Sequence, residues 1–574
     1  MPWASRRASY GRRSVHPPEK LQDGVALRRE RRALKNATVA PRRRAASRLV
    51  AAPRKDRPVG AILAIDGDSL RLEDVMAVAR GKASVKLAPS ALPRVQRARE
   101  YVERLLAEDA VVYGVTTGFG KFSDVRVSGA DAMALQRNLV LSHCCGVGDP
   151  LGVEETRAMM LLRANVLAKG YSGVRPAVLE TLLAALNGGV VPVIPSKGSV
   201  GACGDLAPLA HLTAVLMGEG EAVFAGRRMP GGKALRAAGI APVVLEAKEG
   251  LALINGTQMM TAVGVLSLLE AENVSKAADI AAAQTVEALR GTRTPYLEIS
   301  HRVRPHPGQQ ATARNLLRLL EGSEIMKSHE WCGKVQDAYS LRCVPQVHGA
   351  AKDALSFVRD ALEVEVNAAT DNPLVFPEEE MVISGGNFHG QPISQAMDFL
   401  AVASAQLANI SERRVECMMD PSTSDHLPAF LTPHGGLNSG LMIAQVTAAA
   451  LVSENKTLAH PACVDSIPTS ANKEDFVSMG AFAALKAREV VGNVLRVVAI
   501  ELLCGAQGVE FREGLRPGRG VAAARDALRE SVPPLAEDRP QTPDIEAISE
   551  MVRGGSLVAR VEKAVGPLEP AYAI

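Results

Sequence analysis

Gly198-Ser-Val-Gly-Ala-Cys-Gly-Asp-Leu-Ala-Pro-Leu-Ala-His211 is the stretch on which the reading turns. Glycines at 198, 201 and 204, and the Gly- and Pro-rich run from Val190 that leads to them, describe a loop. Asp205 is then a fair N-cap for a helix, with Pro208 in the first turn, where its missing N–H costs little. Ala202-Cys203-Gly204 therefore sits at a helix N-terminus. Such glycines could cradle a phosphate there. No Gly-Lys-Ser/Thr ending and no GxGxxG accompanies them, which leaves that reading weak beside a plain tight turn ahead of a capped helix.

On either side of this stretch the chain changes character. Upstream, loops dominate from Tyr113 to Gly120 and from Val190 to Gly204, and Ser69 and Asp74 with Val75 and Val78 predict a capped helix after Gly67. Downstream, Met397, Leu400, Ala403, Leu407 and Ile410 mark one apolar face, while Lys486, Glu489, Asn493 and Arg496 form a polar stripe on an otherwise apolar helix. Helices of that kind are buried nearly all round, in a bundle core or a subunit interface. Hydrophobic residues make up 47% of the chain but aromatics only 3%, so the core is built from Ala, Leu and Val, which favours close helix packing. The expected fold is mainly α: an elongated helical bundle core with a loop-rich N-terminal region. With 574 residues the chain exceeds one ordinary core. The expected divisions are 1–57, 58–250, 251–505 for the long helices, and 506–574 for a C-terminal helical region.

The formal charge of +4 conceals an asymmetry, because residues 1–58 hold 17 of the 66 Lys and Arg and only 4 of the 62 Asp and Glu. The remainder, 49 basic against 58 acidic residues, is −9 and no electrostatic match for nucleic acid. Residues 1–57 carry no apolar period and read as a disordered basic extension, from an over-extended reading frame, a targeting peptide or a genuine arm. Eight cysteines without a CxxC pair point to reduced thiols in a cytoplasm. Eleven histidines without HExxH or similar spacing give a metal site no support. The best candidate for a membrane span, Gly435 to Val452, is broken by Asn438, Ser439, Gln445 and Thr447.

The 198–211 stretch closely resembles the signature of the aromatic amino acid ammonia-lyase family. Further matches are Tyr113-Gly-Val-Thr-Thr-Gly-Phe-Gly120, Leu135-Gln-Arg-Asn to Ser142-His143, Asn255-Gly-Thr-Gln258, Gln336-Asp-Ala-Tyr-Ser-Leu-Arg-Cys-Val-Pro-Gln346, Thr370-Asp-Asn-Pro373 and Gly385-Gly-Asn-Phe-His-Gly-Gln391. Together they cover nearly the whole chain from about residue 58. In that family an Ala-Ser-Gly tripeptide cyclises autocatalytically to 4-methylidene-imidazole-5-one (MIO). The residue chemistry is compatible: Gly204 has no side chain to hinder approach of its amide nitrogen to the Ala202 carbonyl, and Ala202 is small. Elimination at Cys203 would leave an exocyclic methylidene, an electrophile no unmodified side chain supplies. Cys203 stands where the family has Ser, and thiol is at least as good a leaving group as hydroxyl; the alternative is a buried turn cysteine in an inactive relative.

The resemblance implies roles for further residues. Arg342 would clamp the substrate carboxylate with its planar fork. Asn255 would help hold the carboxylate and the ring, and Gln336 and Phe388 would line the pocket. Tyr113 and Tyr339 match catalytic positions. We favour Tyr113 as base and Tyr339 as the residue orienting substrate or ring, which requires the site to stabilise a phenolate whose ordinary pKa is about 10.

Substrate choice rests on His143 and Glu474. Members acting on histidine carry His and Glu at these two positions, and those acting on phenylalanine or tyrosine tend to carry Gln at the second. A buried carboxylate facing a phenyl ring is unpaired, whereas facing an imidazole N–H it gains a charge-assisted hydrogen bond. Lys473 and Phe476 depart from the pattern, which commonly has Gln and His there. The implied activity is elimination of ammonia from histidine in a cytoplasmic homotetramer whose sites draw on more than one subunit, with MIO as the sole cofactor and no metal, nucleic acid or membrane partner. A lyase acting on tyrosine or phenylalanine, a 2,3-aminomutase and a silent helical assembly protein are the alternatives.

Overall fold

The computed structural model describes residues 60–108, 110–123, 125–127 and 131–570, so the basic stretch 1–57 and the reading given to it lie outside the described residues. Helix is the dominant element and strands are few and short. Seven helices position the site or carry the core: α1 (Val153–Ala168), α2 (Leu206–Leu216), α3 (Gln258–Ala288), α4 (Val344–Glu365), α5 (Gln391–Met419), α6 (Met442–Leu458) and α7 (Gly480–Glu510). At roughly 1.5 Å per residue the 31-residue α3 and α7 each run about 46 Å. That length makes the bundle elongated, in line with the expected fold.

Alternation of small and branched residues explains the packing. Met397, Leu400, Ala403, Leu407 and Ile410 are all buried on α5, which packs against α4, α7 and α3. Where α3 meets α7, a Cβ at Gly505 would lie 2.9 Å from the Cβ of Gln284, and one at Gly508 2.9 Å from the Cβ of Ala288. The two backbones approach that closely because glycine and alanine leave room. Three residues of the polar stripe of α7 are paired, Lys486 with Asp398 at 3.0 Å, Asn493 with Glu454 and Asn455, and Arg496 with Glu546, while Glu489 is exposed.

Ionic links also cross the dry centre of the bundle. Arg414 of α5 makes a two-pronged pair with Glu501 of α7 at 2.6 and 2.8 Å. Asp279 of α3 takes His348 at 2.8 Å and Lys352 at 2.6 Å, both from α4, and Asn315 at 2.9 Å. All of these side chains are buried.

The N-terminal part of the described chain holds a parallel strand pair, Ala61–Ile65 beside Ala83–Leu87, small antiparallel pairs, and the loops that reach the bundle. Two local expectations fail here. The helix after Gly67 forms at Leu72–Ala79, but Ser69 does not cap it; its hydroxyl donates to Asp66 Oδ1 at 2.9 Å. Asp205 does occupy the residue before α2, yet its carboxylate caps nothing in that helix and accepts instead from Met260 N at 2.9 Å and Ser199 Oγ at 3.1 Å. In each place another partner outcompetes the helix's own N–H groups, the local Asp66 carboxylate as acceptor for Ser69 and the distant Met260 N–H as donor for Asp205. Among the described residues no helix is long and apolar enough to cross a membrane; of the 435–452 run only residues 442–452 are helical, as the start of α6.

Candidate active site

The loop that ends at Asp205 is pinned from two sides. Gly204 pairs in parallel with Gly256, Asp205 N donates to Gly256 O at 2.7 Å, and Gly256 N donates to Cys203 O at 3.3 Å. A Cβ on Gly204 would fall 2.1 Å from Gly256 O, so only glycine permits this approach. From the other side Ser199 Oγ donates to Gly204 O at 3.2 Å and accepts from Gly201 N at 3.1 Å. Buried Asp205 has its pKa pushed up to about 7 by desolvation, against the opposing hydrogen bonds from Met260 and Ser199.

Cys203 Sγ donates to Glu474 Oε1 at 3.0 Å. Burial, then the Glu474 charge, push the thiol pKa upward, so it stays protonated. Glu474 Oε2 accepts from Thr469 Oγ1 at 2.6 Å. Burial alone would raise this carboxyl, but the hydrogen bonds of Thr469, Cys203 and Ser470 and the nearby His143 outweigh it and hold the pKa below its ordinary value. Glu474 is thus an anion aimed at the sulfur. His143, at the end of its helix, has Nδ1 2.8 Å from Leu139 O, which makes Nδ1 the donor there.

Tyr113 belongs to the same cluster. Its hydroxyl accepts from Gly120 N at 3.4 Å, and burial, followed by the neighbouring Cys203 and Glu474, raises its pKa. The resting phenol is therefore neutral, not the stabilised phenolate expected of a base. Asn255 donates from Nδ2 to Asn372 O at 3.0 Å, while its buried Oδ1 has no partner. An orphaned acceptor beside the Gly204–Gly256 bridge is where a further donor would be accommodated.

A second group lies elsewhere. With the Gln336 amide oxygen turned toward it, Arg342 donates from both terminal nitrogens at 3.2 and 3.3 Å, and the guanidinium sits 4.4 Å from the Tyr339 ring centre. Arg342 Nε is buried without a partner, and Tyr339 is 72% exposed. Among the described residues no hydrogen bond or ion pair joins this group to the Cys203 group. Phe388 is half-buried in the turn before α5, where its neighbour His389 donates from Nε2 to Phe476 O (3.2 Å) and stacks on the Phe476 ring. That contact ties the 385–391 motif to the loop carrying Glu474. Lys473, beside Glu474, is exposed.

Residues unmarked in sequence complete the site: Thr469 orients Glu474, Ser199 fastens the tripeptide loop, and Asp398 accepts from Ala462 N and Cys463 N at the root of the Glu474 loop. No spacing rule flags a turn threonine or a serine in a glycine-rich run. Among the described residues no cluster of His, Cys, Asp and Glu could hold a metal ion.

The family model for aromatic amino acid lyases matches residues 70–530. The chain belongs to the aromatic amino acid lyase family. As an aromatic amino acid lyase it is a carbon–nitrogen lyase. The chain is 56% identical over 501 residues to the histidine ammonia-lyase of Alkaliphilus oremlandii, covering 87% of this chain and 98% of that one. Among solved structures it resembles histidine ammonia-lyase from Trypanosoma cruzi, with 44% identity, a TM-score of 0.82, and 88% of this chain and 96% of that one covered. It also resembles tyrosine aminomutase from Streptomyces globisporus, with 39% identity, a TM-score of 0.83, and 89% and 100% covered. Backbone likeness to both is nearly equal, so the side chains of this aromatic amino acid lyase must carry the choice between them.

Proposed function

We propose that the chain eliminates ammonia from L-histidine to give trans-urocanate, using MIO formed from its own Ala202-Cys203-Gly204. The observation that carries this reading is the ionised Glu474, 3.0 Å from Cys203 Sγ with His143 beside it. Facing phenyl, that carboxylate would lose water and gain no partner from the substrate; facing imidazole, it accepts an N–H. The curated relative quoted above bears the name of a histidine enzyme.

The residues present fit the ring. Gly204 is held where no side chain could follow, and Cys203 O already receives an N–H from Gly256. In the balanced reaction the Gly204 nitrogen bonds the Ala202 carbonyl carbon. Water leaves with the Ala202 oxygen and the amide hydrogens of Cys203 and Gly204; hydrogen sulfide leaves with the Cys203 sulfur, its hydrogen and the Cα hydrogen. The ring supplies an electrophile that makes the substrate amine a leaving group. Glu474 and His143 orient the imidazole. Tyr113, neutral at rest, is placed to take the β-proton once a substrate ammonium enters and opposes the charge of Glu474. Arg342, with its unpartnered Nε and Gln336 as brace, clamps the carboxylate, Tyr339 orients the substrate, and Phe388 lines the pocket.

Tyr339, Gln336 and Arg342 serve the site of a neighbouring copy in a homotetramer. In support, Trp331, Val335 and Tyr339 are 94%, 100% and 72% exposed, and Phe399, Ile443 and Phe482 leave apolar area bare on α5, α6 and α7. Cytoplasmic reducing conditions suit the eight free thiols. Separate incubation with histidine, tyrosine and phenylalanine tests the function: urocanate from histidine is expected, and a β-amino acid or a preferred phenol substrate overturns it. Co-expressing Cys203→Ala with Tyr339→Phe checks the assembly. Each variant alone is expected to be nearly inactive and the mixture to recover about a quarter of parental activity, because some sites draw both intact residues. A mixture no more active than its parts would place both residues in one chain's site.

A further inference from the structure

Arg163 of α1 is 0% exposed, and two of its three nitrogens, Nε and NH2, have no partner. Its remaining nitrogen, NH1, donates to Asn255 O at 2.7 Å and to Gln258 Oε1 at 2.8 Å. Asn255 O and Gly256 N belong to the same peptide unit, and Gly256 N–H donates to Cys203 O. A buried cation thus touches one end of an amide whose other end touches the carbonyl of the cyclising residue.

The local charge balance leaves this cation unneutralised. The carboxylate that acts on it is Asp371, and that one is taken by buried Lys248 at 3.0 Å. Two cations therefore share one anion in a dry interior. Burial lowers the pKa of Arg163 to about 10, with Asp371 opposing, so it remains charged at neutral pH. An ordinary structural arginine would be expected to make use of its fork; this one keeps a single nitrogen engaged and points it at the peptide that backs the tripeptide.

We propose that Arg163 is a positioning residue that polarises the Asn255–Gly256 peptide, strengthening the Gly256 hydrogen bond on Cys203 O and so raising the electrophilicity of the ring formed there. A charge on the carbonyl side of an amide withdraws electron density and makes the N–H at the far side a better donor, and hydrogen bonds in series reinforce each other at low dielectric. Donors fixed where negative charge develops are worth most in water-excluded sites. The inference rests on ring formation, as proposed above.

The test compares the parent with Arg163→Gln, Arg163→Lys and Lys248→Met. Each protein is melted to establish folding, weighed intact to establish the ring, and exposed to cyanide, which does not label free thiols and adds to an electrophilic alkene with the mass of one hydrogen cyanide. Glutamine keeps a donor for Asn255 O without the charge, so addition is expected to slow about tenfold. Lysine restores the charge and is expected to stay within about threefold of the parent. Lys248→Met leaves Asp371 to neutralise Arg163 and is expected to slow addition in the same direction, which decides the matter if Arg163→Gln does not fold. Equal rates in folded, ring-bearing Arg163→Gln and parent overturn the inference, as does an unaltered rate in Lys248→Met. A parent that lacks the ring mass refutes the ring and this inference together, whereas ring-bearing proteins with equal rates refute the inference alone.

Discussion

Cys203→Ala is expected to keep its full encoded mass and to lose at least about a thousandfold in kcat/KM for histidine, while Cys203→Ser stays within about tenfold of the parent. The reason is the leaving group. Alanine has nothing on Cβ to expel, and unsaturation there would need an oxidant. Serine loses water where cysteine loses hydrogen sulfide, and both arrive at one ring. Intact mass separates the routes: the parent should weigh about 52 Da less than its sequence, one water plus one hydrogen sulfide, and the serine variant about 36 Da less. The raised thiol pKa strengthens the case, since Cys203 waits as a protonated thiol that is a poor metal ligand and a poor nucleophile. A parent at full mass, with Cys203 open to alkylation in the denatured chain, would end the proposal.

Glu474→Gln should change preference as much as rate. Volume is nearly conserved, so the effect reports charge and hydrogen bonding. Imidazole loses a charge-assisted partner worth roughly 1.5 to 3 kcal/mol. At about 1.4 kcal/mol per decade, kcat/KM for histidine should fall on the order of tenfold to more than a hundredfold. Activity toward phenylalanine, however small, should hold or rise because its ring no longer meets a half-buried anion. Glu474 also accepts from the Cys203 thiol, so the variant must be weighed before its kinetics are read. With the ring present, a matched fall on both substrates would assign Glu474 to general structure and remove the argument for histidine.

How much of this was legible beforehand depended on how local the signal was. The buried face at Met397, Leu400, Ala403, Leu407 and Ile410 follows from a 3.6-residue period and needs no partner to be read. Cys203 and Glu474 are 271 positions apart, and nothing in composition or spacing joins them; only their match to family motifs did. Ser69 and Asp205 misled because a short-range capping rule was applied where other partners prevail, the Asp66 carboxylate for Ser69 and Met260 N for Asp205. Arg163 gave no sign at all, since an arginine within Met-Met-Leu-Leu-Arg-Ala-Asn reads as a side chain escaping to solvent rather than one sealed at zero exposure. Thr469 and Ser199 are small polar residues whose importance is created by the atoms brought next to them.

The charges sealed within the bundle work as a vernier. Surfaces of Ala, Leu and Val would accept a slip of one helical turn, about 5.4 Å, with little loss of buried area. Such a slip of α5 along α7 would carry Arg414 away from Glu501, and one of α4 along α3 would strip Asp279 of His348 and Lys352. Leaving one such partner uncompensated in a dry core costs about 3–5 kcal/mol. Only one alignment of the long helices satisfies both sets, and the loops that meet over Cys203 are borne on their ends, so a polar lock deep in the bundle sets the tolerance of a site built many residues away.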